Sequence, residues 1–113
     1  MLIKDNILVE KLSYTTKNIS IKIELCFKLN DSIVKLEFSY IPDKFKFIQS
    51  SIPAYLNELT KAENFDLENL SARIIEDLYD IAVPKHISAT LSQSTSDIST
   101  SITTSKTQPK FKI

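Results

Sequence analysis

The chain contains no glycine. Phosphate-cradling loops of the Rossmann or P-loop kind need glycine where backbone closely approaches the ligand, so both designs are excluded. Turns must instead be built from Asn, Asp, Ser and Pro. A single cysteine, Cys26, rules out an internal disulfide and any cysteine-cluster zinc site. With one histidine, His86, the common histidine-rich metal sites are out of reach, and no metal is expected. Neither sign of charge is in excess: 14 basic and 14 acidic residues leave a formal net charge of zero. That balance gives no electrostatic reason to expect nucleic acid or an anionic membrane as a direct partner. Weak mutual repulsion does suit self-association. No apolar run approaches the roughly 20 residues of a membrane span. The opening Met1-Leu2-Ile3-Lys4-Asp5-Asn6 lacks the apolar centre of a signal peptide, which makes the cytoplasm the default compartment.

What is present is an ordinary globular composition, 42% hydrophobic and 25% charged over 113 residues, enough for one domain with a modest core. Residues 1–14 read as a short strand or lead-in arm carrying Ile7, Val9 and Leu12, and Tyr14 to Asn18 is polar. From Ile19 the alternation is strict. Ile19, Ile21, Ile23, Leu25, Phe27 and Leu29 fall on one face of a strand, with Ser20, Lys22, Glu24, Cys26 and Lys28 on the other. Turn residues follow at Leu29-Asn30-Asp31-Ser32. Val34, Leu36, Phe38 and Tyr40 then resume the pattern, which predicts an antiparallel hairpin. Pro42 denies the ladder a donor and helps to end the second strand.

Asp43 to Gln49 is expected to cross over to a helix over Ser51 to Lys61, with Ile52, Tyr55, Leu56 and Leu59 on one stripe. Ser50 or Ser51 is the candidate cap, and Pro53 sits in the opening turn. Glu63-Asn64 breaks that helix. Asp66 is positioned to cap a second one whose stripe is Leu67, Leu70, Ile74, Leu78 and Ile81, ended by Pro84. Ile87, Ala89 and Leu91 mark a third strand, and Ile98 and Ile102 a fourth, linked by Gln93-Ser94-Thr95-Ser96-Asp97. The Ser/Thr-rich stretch from Ser92 to Ser105 fits either a low-complexity tail or a hairpin with a polar side. Threonine's preference for strands and the recurring isoleucine favour the hairpin. Lys106, Lys110 and Lys112 read as an ordinary solvated terminus, with residues 107–113 as a tail. The fold class expected is α+β: a four-stranded antiparallel sheet in the order ββααββ with two helices on one face. Its free edges invite pairing with neighbouring subunits into a closed ring or barrel.

Several segments support a family resemblance. They are Leu25-Cys26 before a turn, Tyr40-Ile41-Pro42-Asp43 one strand later, and Ser51 through Tyr55-Leu56 in the first helix. Glu68 early in the second helix, Ile74-Ile75-Glu76-Asp77-Leu78 at its end and Pro84-Lys85-His86-Ile87 into the third strand complete the set. Over roughly Ile19 to Thr104 the chain resembles a tunnelling-fold protein. It looks most like the nitrile reductases of queuosine biosynthesis, which reduce 7-cyano-7-deazaguanine with NADPH. The resemblance implies a homo-oligomeric barrel with sites at subunit interfaces, a purine- or deazapurine-like substrate and NADPH as cofactor. It places Cys26 where the family keeps the cysteine that attacks the nitrile, and Asp31 as the acid in the shortened loop that follows. Glu68 falls at the family's second-helix glutamate, with Leu67 where a histidine precedes it. Ile48 stands where a glutamate pairs with the substrate edge, and Gln49 is its polar neighbour. Ser92 to Asp97 replaces a Gly- and Arg-containing segment near the cofactor.

Each of these residues has a plainer reading. A lone cysteine is often a small packed side chain, Asp31 suits any turn, Glu68 suits any first helical turn, and His86 suits a strand entrance. Three functions remain in play: a reductase-like enzyme using Cys26, a non-catalytic structural or partner subunit, and a binding module for a small heterocycle.

Overall fold

The alternating segments pair as a sheet in a computed structural model, which describes residues 2–13 and 18–111. Tyr14 and Lys112 lie outside the described residues. Strands β1 (Val9–Lys11), β2 (Ile21–Leu29), β3 (Ser32–Ile41) and β4 (Phe45–Phe47) come first. Helices α1 (Ser51–Ala62) and α2 (Leu67–Ala82) follow, then β5 (His86–Ser94) and β6 (Ser99–Thr107). One antiparallel sheet has the order β2-β3-β5-β6, and β1 pairs with β4 in a separate two-stranded ribbon. The four long strands and two helices follow the expected sequence; β1 lies within the stretch read as a short strand or lead-in arm, and β4 is added between β3 and α1. The segment from Asp43 to Gln49 is thus more than a crossover: it contains β4, held by the pairing of Val9 with Phe47 and Glu10 with Lys46.

The sheet is two-faced because its side chains alternate. Ile23, Leu29, Val34, Leu36, Phe38, Tyr40, Ile87, Ala89 and Leu91 are buried beneath the helices. Each large apolar side chain so removed from water contributes about 1.5–3 kcal/mol. The opposite face is open and carries Lys22, Glu24, Cys26 and Lys28 from β2. It continues with Ser88, Thr90 and Ser92 from β5 and Ser101, Thr103 and Ser105 from β6. The Ser/Thr-rich stretch is therefore a hairpin. Thr90 and Thr103 hydroxyls lie 2.8 Å apart across it, and Ser92 and Ser101 3.2 Å apart.

Local chemistry explains the turns that a glycine-free chain must make. Asn30 and Asp31 both take positive φ, 49° and 66°, as the central residues of a two-residue hairpin turn with right-handed strand twist require. Asp66 caps α2 by accepting the Asn69 amide at 2.7 Å. Neither serine caps α1. Ser50 makes no side-chain cap bond, and the Ser51 hydroxyl instead accepts the Leu8 amide at 2.9 Å while donating to the Ile48 carbonyl at 2.6 Å. Ser51 thereby fastens the N-terminal arm to the helix. The β2 strand starts at Ile21 rather than Ile19, and Ile98 belongs to the last turn rather than β6. The buried stripe of α2 is wider than the apolar spacing implies, with Ser71, Ile75, Asp77 and Ala82 buried and Ile81 only half-buried.

Buried Asp77 is kept in the core by two donors, the Tyr55 hydroxyl at 2.6 Å and Arg73 Nε at 3.2 Å. Burial and the adjacent carboxylate both push the Tyr55 phenol far above its ordinary value of 10.0. A proton held more tightly in the folded state contributes stability that is complete below that ordinary value and is lost as pH rises above it. Urea unfolding should therefore show Tyr55→Phe destabilised by about 1.5–3 kcal/mol at neutral pH, the worth of a hydrogen bond to a charged group. The variant should lose less additional stability than the wild type above pH 10. An equal alkaline loss in both proteins would remove Tyr55 as its source. At the end of α2, exposed Val83 sits in the left-handed region at φ 42°, where a β-branched residue is strained. Val83→Asn should raise unfolding free energy by about 1 kcal/mol, and no gain would show that the strain is relieved elsewhere.

Candidate functional site

Strand β2 is an edge of the sheet, and its alternation carries Cys26 onto the open face, exposed to solvent. Directly across the ladder is Lys35. Next to it Glu24 and Glu37 oppose each other, a like-charge pair that Lys22 and Lys35 compensate. Lys22 Nζ lies 3.0 Å from Glu37 and 3.2 Å from Glu24, and Lys35 lies 3.6 Å from Glu24. Hydrogen bonding to Glu37 raises the Lys22 ammonium above its ordinary value, and bonding from Lys22 lowers the Glu24 carboxyl. Cys26 thus sits on a charged, wet surface, where a thiol is open to attack and to electrophiles.

The other residues picked out in the sequence lie elsewhere. Asp31 is exposed in the β2–β3 turn. Cys26 is three residues short of the strand end, so at about 3.4 Å per residue the turn lies roughly 10 Å further on. Glu68 is exposed in the first turn of α2, and α2 covers the opposite face, leaving the sheet between it and Cys26. His86 is half-buried where β5 begins, with Nδ1 2.7 Å from the Thr107 hydroxyl. Gln49 is exposed and helps to line a cleft of about 420 Å3 together with Glu10, Ile21, Tyr40, Lys46, Phe47 and Ile48.

That cleft is built by the β1–β4 ribbon. The Phe47 amide donates to the Tyr40 hydroxyl at 3.1 Å, and the two rings meet edge to face at 4.8 Å between centroids. The Ile48 backbone amide donates a hydrogen bond to the Leu8 carbonyl at 2.8 Å. Glu10 and Lys46, paired across the ribbon, form an ion pair at 3.2 Å. The cleft opens beside Ile21, at the start of the edge strand, about 17 Å along β2 from Cys26 at ordinary strand rise. Sequence periodicity had not singled out Glu10 or Lys46, because a three-residue strand gives almost no alternation. The only signal was the Phe45-Lys46-Phe47 pattern after Pro42.

The resemblance places the segment from Ser92 to Asp97 near the cofactor. Ser92 and Ser94 end β5, and the Thr95 side chain closes the following turn on Ile98. Asp97 is the only charged residue from Ser92 to Asp97, so this segment offers no cation to the cofactor's phosphates. Among the described residues no group of three His, Cys, Asp or Glu side chains could hold a metal ion. No helix among them is long and apolar enough to cross a membrane.

Neither a protein-family model nor a curated protein matches the chain. Solved structures do. The crystal structure of the archaeosine synthase QueF-Like in the apo form aligns with a TM-score of 0.61 at 9% identity, covering 81% of this chain and 95% of that one. The fold is shared. The tunnelling fold expected from the sequence is thus supported as architecture, and identity this low carries nothing about activity. For the site itself, exposure makes the direct prediction. Native protein should take up one equivalent of a thiol-specific reagent without denaturant, and Cys26→Ala none. Labelling that appears only after unfolding would place Cys26 under cover.

Proposed function

We propose that the chain acts on a purine- or deazapurine-like heterocycle, with Cys26 adding to a nitrile such as that of 7-cyano-7-deazaguanine, in the chemistry of tRNA-base modification. The observation that carries this reading is the exposed thiol on the open face of an edge strand, in a chain with the fold of an archaeosine synthase. In the step proposed, the Cys26 sulfur bonds to the nitrile carbon, one carbon–nitrogen π bond opens, and the nitrogen takes a proton, giving a thioimide. The resemblance continues from there by reduction with NADPH. The Ser92–Asp97 hairpin gives that continuation no support, and the chemistry proposed for this chain stops at the thioimide.

Assembly belongs to the same proposal. Strands β2 and β6 are the two edges of the sheet, each of nine residues, and they run antiparallel to each other because four strands alternate. Pairing β2 of one copy with β6 of the next continues the ladder, covers the half-buried Leu25, Phe27 and Ile102, and removes both free edges. A homo-oligomeric barrel in the reducing cytoplasm, where an unpaired cysteine stays reduced, is the form proposed. Asp31, Glu68 and Gln49 lie too dispersed in one subunit to serve Cys26 together. That dispersion favours a second reading, a non-catalytic relative that keeps the fold as a structural or partner subunit.

Intact-mass spectrometry separates the two. Incubation with 7-cyano-7-deazaguanine in the absence of NADPH should add the mass of one substrate to each wild-type chain and nothing to Cys26→Ala. An unmodified wild-type chain across a range of pH, from folded and oligomeric protein, would leave the non-catalytic reading in place.

A further inference from the structure

Strand β2 is the outermost strand on its side of the sheet, nine residues long and free of proline. Leu29 and Ser32 flank the two-residue turn into β3, the place of a hydrogen-bonded pair, so alternation leaves Cys26 and Lys35 as a pair without backbone bonds. The backbone groups of Glu24, Cys26 and Lys28 therefore face away from β3, toward the free side, where another strand can take them up. We propose that β2 is a self-association surface, on which β2 of a second copy pairs antiparallel about a two-fold axis at Cys26. This goes beyond the function proposed above and does not rest on it. It is a second mode of association, in competition with the β2–β6 joining of a barrel because β2 has one free side.

Charge selects the register. An isologous pair is defined by the residue at its centre, and like charges directly opposite each other are destabilising. Centred on Glu24, the pair sets two glutamates against each other. Centred on Leu25, it sets Lys22 against Lys28 at both ends. Centred on Phe27, it sets Glu24 against Asn30 and joins no opposite charges. Only the pair centred on Cys26 sets Glu24 against Lys28, and it does so twice. Glu24 and Lys28 are both exposed, and Lys28 has no ion-pair partner of its own among the described residues. The same register serves the other face of the strand. It sets the half-buried Leu25 against Phe27, and the buried Ile23 against Leu29, so the apolar row continues from one copy into the next. Strand β6 offers no such match in charge, since its open face carries Ser99, Ser101, Thr103, Ser105 and Thr107.

Sedimentation of the reduced protein over a range of concentrations tests this. The wild type should form dimers, and Lys28→Glu, which turns both Glu24 contacts into like-charge pairs, should weaken them by about tenfold or more. Glu24→Lys should do the same by opposing lysines. An equal mixture of the two variants should recover dimers, because each chain then meets its opposite charge at both ends. Cross-linking fixes the register independently. In a Cys26→Ala background, Glu24→Cys and Lys28→Cys chains mixed with diamide should form a mixed disulfide, the two thiols giving their hydrogens to the reagent. Glu24→Cys alone should form little, since like positions lie about 14 Å apart along the pair, beyond the roughly 7 Å between Cα atoms that a disulfide can span. A wild type that stays monomeric would overturn the proposal, as would a mixture no more associated than either variant alone. Association unchanged by Lys28→Glu would also overturn it and assign the contact to the uncharged face of β6. The nitrile reading stands or falls separately: a Cys26 adduct on Lys28→Glu monomers supports it whatever the edge does, and absence of an adduct leaves the two-fold pair untouched.

Discussion

A four-stranded sheet covered on one face only sets the terms for the rest of this molecule. Its alternation sends Val34, Leu36, Phe38 and Tyr40 beneath the helices and leaves charges, hydroxyls and Cys26 in water. The same separation decides where chemistry is feasible. A register slip of one residue in β2 would bury Glu24 and Lys22 and expose Ile23 and Leu25, a change too costly to be populated. Cys26 is consequently fixed on the open face by the same apolar pattern that fixes the core. Reactivity and stability here have one sequence cause.

The cleft depends on a second, more local constraint. Tyr40 ends its run on the buried face, and its hydroxyl receives the amide of Phe47, seven residues later, past Pro42. A short excursion is thereby folded back against Tyr40 and becomes β4, where Lys46 pairs with Glu10. Ser51 completes the arrangement by tying Leu8 and Ile48 together at the head of α1. Removing the hydroxyl of Ser51 would leave the Leu8 amide without its side-chain acceptor and loosen the arm that carries Glu10. The ribbon is small, so few contacts hold it.

How far the sequence discloses this depends on the length of each pattern. The nine-residue strand β2 repeats its alternation often enough to be located within two residues, and Asp66 and the apolar stripe of α2 mark that helix equally well. Turn chemistry was legible too, since Asn30 and Asp31 are the residues that tolerate positive φ when glycine is absent. The ribbon was not. Val9-Glu10-Lys11 and Phe45-Lys46-Phe47 are three residues each, and their pairing joins segments 36 positions apart that no local pattern connects. Ser51 escaped for a related reason: its hydroxyl serves the distant Leu8 rather than its own helix. The sequence named Cys26, Asp31, Glu68 and Gln49 through the family resemblance. It could not show that Asp31 and Glu68 lie away from Cys26, because that follows from which face of the sheet α2 covers and how far β2 runs before its turn.

The distance between Cys26 and the cleft bears on any account of catalysis. Both belong to β2, the cleft at its first residue and the thiol at its sixth. Five residues of extended strand, about 17 Å, exceed the span of one bicyclic base. Ile21 and Tyr40 of the cleft also share the helix-covered face of the sheet, opposite Cys26, so a ligand in the cleft does not reach that thiol within one subunit. Joining subunits through β2 and β6 changes the neighbours of Cys26 without shortening β2, since the strand that would lie beside it is β6, with Ser101, Thr103 and Ser105 on the open face. Those hydroxyls can orient a ligand but are poor proton donors beside a carboxylic acid. Edge-to-edge joining also keeps the cleft and the thiol on opposite faces of the continued sheet, so in such an assembly the two would serve separate ends.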